Sequence, residues 1–217
     1  MSKDTLSVLK KLREMHGNPR IELNFSNPLE LTVAAILSAQ CTDQRVNQVT
    51  EQLFRRYRSA KDYTNAEQGE LEEQVRPTGF YRNKAKSLKN FASDIESRFG
   101  GRVPDDIDLL TSVRGIGRKT ANMIIGVAFG RPAMIVETHV MRVAKRVGLT
   151  KSDEAEEIEE DLKRIVPQVQ WTDFSLLLIL HGRYVCVARK PRCLDCLLRE
   201  DCNYWLSEVQ QNSKIVK

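Results

Sequence analysis

Leu109-Leu110-Thr111-Ser112-Val113-Arg114-Gly115-Ile116-Gly117-Arg118-Lys119-Thr120-Ala121 reads as a helix, a tight turn and a second helix. Gly115 and Gly117 admit positive φ and let another backbone come close, and Ile116 between them can tuck into a core. The amides that open the second helix would point outward with the helix dipole behind them, which makes an anion site. Arg114 and Arg118 flank it. Two readings of this turn stand side by side. In one it is a helix-hairpin-helix that grips a DNA phosphate without reading sequence. In the other it is a Gly-rich connection between two packed helices. A Walker loop is excluded, because G-x-x-x-x-G-K-[ST] does not occur. A dinucleotide fingerprint is disfavoured, because no strand precedes the glycines.

Outward from this turn the chain reads as almost all helix. Asn27-Pro28 is a start signal, a capping residue followed by proline in the first turn. The apolar run Leu29 to Ala39 behind it marks a central helix. Thr42-Asp43 opens another, ending near Tyr57. Ala85, Leu88, Phe91, Ile95 and Phe99 recur every three or four positions from Tyr81 to Phe99, a helical stripe that Gly100-Gly101 stops. Ser152 is expected to cap a helix over Asp153 to Val166, with acids in its first turn and Ala155, Ile158, Leu162 and Ile165 as its apolar stripe. Phe174 to Leu180 reads as a buried helix continuing to about Val187. Residues 153–161 hold seven acids, whereas residues 112–150 hold seven Lys or Arg against one acid, Glu137. The acidic helix is expected to be a solvated face turned away from any nucleic acid.

Three groups of residues could carry chemistry. Lys119 lies in the first turn of the second hairpin helix, beside the positive helix end and near Arg118, surroundings that favour the neutral amine a nucleophile needs. The alternative is one more phosphate contact. Downstream, the short apolar stretch Ala133 to Val136 leads into Glu137-Thr138-His139-Val140, with Thr138 expected to cap a helix to about Val147. Glu137 at its mouth would be stabilised as an anion. There it could stabilise an oxocarbenium-like centre or shuttle protons; alternatively it decorates the dipole or bridges to Arg142 or Lys145. His139 reads as a structural histidine. Finally, Cys186, Cys193, Cys196 and Cys202 are spaced C-x6-C-x2-C-x5-C within 17 residues. Four thiolates suit a tetrahedral zinc or a [4Fe–4S] cluster, and ligand type does not separate the two. The stretch is too polar to be core, and Arg183, Arg189, Lys190 and Arg192 around it could face a nucleic-acid backbone. Cys41 stands apart as a small buried residue.

Bulk properties agree with a soluble globular chain. Its 217 residues include 34 Lys and Arg against 29 Asp and Glu, a net charge of +5 that permits an anionic partner without demanding one. No apolar run approaches the roughly 20 residues of a membrane span, and the N-terminus has no signal-peptide pattern. A cytoplasmic location follows as an expectation, nucleoid-associated if the source is bacterial, and clustered cysteines in such a compartment bind metal or do chemistry.

Taken in order, these pieces resemble the endonuclease III family of helix-hairpin-helix DNA glycosylases. The resemblance is carried by Leu37-Ser38-Ala39-Gln40-Cys41-Thr42-Asp43, Gly79-Phe80-Tyr81-Arg82-Asn83-Lys84-Ala85, the hairpin from Gly115 to Asn122, Glu137-Thr138-His139-Val140-Met141-Arg142-Val143, and Leu180 to Cys186 with the cysteine loop. It implies an all-α, two-lobed fold with DNA in the cleft between the lobes. One lobe would span residues 20–131 with the hairpin; the other would join residues 1–19 to 132–217 with the cluster loop, 186–202. It implies base-excision repair: Lys119 attacks C1′ of a damaged pyrimidine nucleotide in double-stranded DNA, forms a Schiff base, and allows β-elimination at the resulting abasic site. It implies a [4Fe–4S] cluster on the four cysteines. Gln40 would fill the gap left by the flipped base, with Phe80 as a wedge beside it, and Ser38, Asp43 and His139 would lie near the pocket.

Two departures bear on function. The family usually has Leu-Pro-Gly where this chain has Val113-Arg114-Gly115, and Asp where it has Glu137. A carboxylate displaced by about 1 Å can cost on the order of 100-fold in rate. Relatives of this reading are an enzyme for mispaired or deaminated bases, or one retaining mainly lyase activity. A rival of another class is a non-catalytic DNA-binding or redox-sensing protein. With no oligomer signal, a monomer is expected.

Overall fold

The structure, a computed structural model, describes residues 4–209. Those residues form helices joined by turns and contain no strand. The helices are α1 (Thr5–His16), α2 (Pro28–Leu37), α3 (Asp43–Arg56), α4 (Ala60–Asn65), α5 (Gln68–Val75), α6 (Tyr81–Phe99), α7 (Ile107–Thr111), α8 (Arg118–Met123), α9 (Thr138–Val147), α10 (Ala155–Ile165) and α11 (Trp171–Tyr184). They group into two compact units: Ile21–Gly130, and the described residues up to Arg20 together with those from Arg131 on.

In the first unit, α2 begins where Asn27 accepts the Glu30 amide at 3.0 Å with Pro28 behind it. Leu31, Thr32, Val33, Ala34 and Leu37 are all buried, so α2 is central, as its broad apolar run suggests. It stops at Leu37, two residues before the expected end. Ser38 turns its hydroxyl onto the Ala35 carbonyl at 2.8 Å, and Gln40 takes a left-handed φ of 52° that no helix accommodates. The helix α6 has the bounds its period predicts. Ala85, Leu88, Phe91 and Ile95 are fully buried, and Gly100 ends the helix in the left-handed region. Emptying one such position, as in Phe91→Ala, costs about 3–5 kcal/mol. This helix packs against α2, α4 and α5.

In the second unit, Val140, Val143, Ala144 and Val147 of α9 form a buried stripe with Phe174, Leu177 and Leu178 of α11 and with Val8, Leu9 and Leu12 of α1. The helix α10 starts at Ala155 rather than Asp153. Ser152 is not its cap: its hydroxyl accepts the Glu154 amide at 3.0 Å and reaches Glu157 Oε2 at 2.6 Å, while Asp153 is drawn to Lys145. The expected stripe is only half right. Ile158 and Leu162 are fully buried, but Ala155 and Ile165 are exposed. Glu159 takes an inner position instead, 3% exposed and 2.6 Å from Lys163 Nζ. The helix α11 ends at Tyr184, short of Val187, because the loop folds back: Cys186 N donates to His181 O at 2.7 Å and Arg192 N to Val185 O at 3.0 Å. The loop is also less peripheral than its polarity suggests, since Leu198 and Cys202 join this core.

Candidate DNA-lesion site

The hairpin forms as α7, a turn and α8. Asp106 caps α7 by accepting the amides of Asp108 and Leu109, each at 3.0 Å. Val113 and Ile116 are buried and anchor the turn from below. Only Gly115 uses the freedom of glycine, with φ 87°. Gly117 is the N-cap of α8 at φ −86°, which any residue adopts, so of the two glycines that admit positive φ only one uses it. A Cβ built on either glycine meets nothing within 4 Å, so open space lies in front of both. Arg118 and Lys119 are exposed in the first turn of α8. Arg114 departs from the expectation: its guanidinium is laid along the Asp94 carboxylate, Nη2 to Oδ1 at 2.7 Å, rather than over the anion site.

Residues far apart in sequence meet in this unit. Gln40, Phe80, Lys84, Gly115 and Thr120 line one open depression. Two of its lining residues carry left-handed backbone, Gln40 at φ 52° and Phe80 at φ 48°. For a bulky L-residue that conformation costs about 1–2 kcal/mol, and such strain concentrates where function needs a side chain aimed outward. Phe80 is 63% exposed. Sequence reasoning missed what holds it: Lys84, 5% exposed, runs under the turn and donates from Nζ to the Thr78 carbonyl at 2.7 Å. Burial lowers its pKa. The signal was a lysine on the apolar face of α6, beside Ala85 and Leu88. Ser38 and Asp43 stand at the end of α2 and the start of α3, on either side of Gln40.

In the second unit, Glu137 itself caps α9, and Thr138 is the first helical residue rather than the cap. Oε1 accepts the amides of His139 at 2.7 Å and Val140 at 3.1 Å; Oε2 meets His139 Nδ1 at 2.8 Å. Burial pushes the Glu137 pKa up, but the His139 ring and the two amides outweigh it, and the net shift is downward. Arg142 and Lys145 are not its partners. Arg142 donates to the carbonyls of Cys186 and Gly182, and Lys145 pairs with Asp153.

Cys186, Cys193, Cys196 and Cys202 line one pocket of about 350 Å³, counting its space open to solvent. Among the described residues no three His, Cys, Asp or Glu side chains converge closely enough to hold a single metal ion. Four thiols around one pocket are a donor set that suits either a zinc ion or an iron–sulfur cluster. Burial pushes the Cys196 thiol up to about 11, and that of Cys193 up as well. The α9 arginines clasp this loop: Arg146 donates to the Val187 and Ala188 carbonyls at 2.8 and 2.9 Å. His181, 1% exposed and held near 4 by burial and by His16, links His16 Nε2 at 3.1 Å to the Cys196 sulfur at 3.5 Å.

A family model described as HhH-GPD superfamily base excision DNA repair protein matches residues 33–168. Endonuclease III of Bacillus subtilis is 45% identical over 195 residues, covering 89% of each chain. Endonuclease III of Escherichia coli is 38% identical over 199 residues, covering 92% of this chain and 94% of that one. A solved non-covalent endonuclease III–DNA complex superposes with a TM-score of 0.90 at 38% identity, covering 100% of this chain and 99% of that chain. A trapped endonuclease III–DNA covalent intermediate gives 0.89, also at 38% identity and covering 100% of both chains.

Proposed function

The chain belongs to the HhH-GPD superfamily of base excision DNA repair proteins, and from that membership we propose that it is a bifunctional DNA glycosylase and abasic-site lyase acting on damaged pyrimidines. The carrying observation is the hairpin. It presents Lys119 on the exposed first turn of α8, in the unit whose open depression is lined by Gln40, Phe80 and Gly115. Double-stranded DNA with a damaged base or abasic site is the partner.

In this reading the hairpin amides and Arg118 hold a phosphate, and Phe80 and Gln40 occupy the space vacated by the extruded nucleotide, offsetting part of the few kcal/mol that extrusion costs. Nζ of Lys119 bonds to C1′ as the C1′–base bond breaks. The base leaves with the electron pair of its bond to C1′ and takes up the proton the amine gives up, the sugar ring opens to an iminium as O4′ takes a proton from water, the C2′ proton passes to water, and the 3′ phosphate departs with the C3′–O electron pair. Glu137 stays ionised and carries the negative charge that an oxocarbenium-like sugar requires. A carboxylate whose oxygens already accept four hydrogen bonds is a poor proton acceptor, which favours charge stabilisation over proton shuttling. The same saturation supports a second reading, in which base release is slow and the lyase step dominates.

The donor set and pocket support a [4Fe–4S] cluster on Cys186, Cys193, Cys196 and Cys202. When bound it supplies four metal–thiolate links that tie the loop to the second unit. The protein is proposed to work as a cytoplasmic monomer, and no described helix is long and apolar enough to cross a membrane. Borohydride trapping on duplexes carrying a damaged pyrimidine, uracil or a plain abasic site tests the reading. Adducts on the damaged-pyrimidine duplex are expected. Adducts on the abasic duplex alone would leave only the lyase, and none on any duplex would reject the lysine Schiff base and with it the lyase.

A further inference from the structure

Arg114 occupies the position where the family's hairpin usually has proline, and its side chain, though 59% exposed, is tied along one edge of its guanidinium. Nη2 lies 2.7 Å from Asp94 Oδ1, and Nε lies 3.1 Å from each carboxylate oxygen. The Arg114 backbone amide donates to the same carboxylate at 2.9 Å. Asp94 is 8% exposed on α6, beside the buried Phe91 and Ile95. One helical turn on, Arg98 donates to the Ser112 carbonyl at 2.8 Å and to its hydroxyl at 2.6 Å. Residues four apart share a helix face, so Asp94 and Arg98 together grip residues 112 and 114, immediately ahead of Gly115.

The chemistry explains why such a grip is needed. Proline fixes φ near −65° and has no N–H. Any other residue there brings a freely varying φ and a part-buried amide that needs an acceptor. Asp94 supplies the acceptor, and its bidentate, charge-assisted pairing with the guanidinium restricts the backbone beneath it. The Arg114 hydrogen bond, ahead of all other influences, holds the Asp94 carboxyl below the usual range, so the carboxylate is ionised at neutral pH. The Nε and Nη2 edge of the guanidinium is spent on Asp94 rather than on a phosphate.

We propose that Asp94 is a positioning residue of the DNA-gripping hairpin, with Arg114 as its strut rather than a phosphate ligand and Arg98 as a second anchor. An ionic brace from α6 does here what a proline ring does elsewhere in the family. The inference rests on the reading above that this hairpin holds DNA.

The test is the affinity of the full-length protein for a duplex with a non-reactive abasic-site analogue, measured across salt. The variants are Asp94→Asn, Arg114→Gln, Arg118→Gln and the double Asp94→Leu/Arg114→Pro. Each lost phosphate contact lowers the log–log salt slope by about one. Arg118→Gln is expected to lower it so. Asp94→Asn and Arg114→Gln are expected to weaken binding about tenfold, the scale of a lost charge-assisted hydrogen bond, with the slope unchanged. The double variant is expected to regain most of that loss, which a merely misfolded hairpin would not do. Exchange of the Arg114 amide in the DNA-free protein is expected to quicken in Asp94→Asn. A slope lowered by one in Arg114→Gln would make Arg114 a phosphate ligand and overturn the proposal. Unchanged affinity and exchange in Asp94→Asn would overturn it too. Arg118→Gln without effect on affinity or slope would instead remove the DNA reading of the hairpin, and the proposal with it.

Discussion

Replacing Glu137 with glutamine keeps the side chain's shape and removes its charge, so it separates capping from catalysis. The amide oxygen can still accept the His139 and Val140 amides that Oε1 accepts now, at 2.7 and 3.1 Å. The contact to His139 Nδ1 survives at best as a neutral hydrogen bond, about half as strong as a charge-assisted one. An anion at a helix N-terminus contributes about 0.3–1 kcal/mol when exposed and up to ~2 kcal/mol when partly buried. With the Glu137 side chain only 12% exposed, the upper part of that range applies. For a chain of this length the loss corresponds to a melting temperature lower by about 2–8 °C. The folded pKa is depressed, so this stabilisation is present above the usual glutamate range and is lost as pH falls through the folded value. The gap between wild type and Glu137→Gln therefore closes in acid. On catalysis, loss of a preorganised charge is expected to slow base release by about 10²–10³-fold, with far less effect on nicking of a preformed abasic site. Single-turnover cleavage of a damaged-pyrimidine duplex, quenched with and without alkali, reads the two steps separately. Equal base release in wild type and variant would refute the charge-stabilisation argument. An equal fall in both steps would make Glu137 structural.

Lys119→Ala is expected to abolish borohydride trapping while leaving affinity for abasic DNA within about threefold, since one exposed cation among several phosphate contacts is lost; persistent adducts would assign the nucleophile elsewhere. Gly115→Ala, at φ 87°, is expected to cost about 1–2 kcal/mol in thermal melts. Gly117→Ala, with no atom within 4 Å of the new Cβ and an ordinary φ, is expected to cost less, under about 1 kcal/mol from the poorer N-cap; equal losses would contradict the assigned turn. Cys193→Ser is expected to strip the iron and sulfide from the purified protein, and metal analysis returning one zinc per wild-type chain would replace the cluster with a single ion.

Much of this protein is legible locally. The α6 stripe, the Asn27-Pro28 start, the helix following Glu137 and the tight turn between Leu109 and Ala121 depend on residues a few positions apart, so periodicity and turn chemistry reach them. The spacing of the four cysteines is local as well. The rest depends on which distant atoms become neighbours. Asp94, an acid on an apolar face, looks like a fault in the stripe until Arg114 arrives 20 positions later. Lys84 is likewise a blemish until Thr78 turns its carbonyl inward. Ser152 and Thr138 carry good capping chemistry, but Glu154 and Glu137 occupy the cap positions, and the winner is set by how the chain enters each helix. Gly115 and Gly117 are equal as letters, and only the path of the backbone makes one left-handed. Local pattern thus determined the helices and the inventory of reactive groups, because those follow from short-range sterics and hydrophobic period. Tertiary structure decided which charges are spent internally and which face outward, because a side chain's electrostatic partner is chosen by packing between segments that sequence distance does not encode.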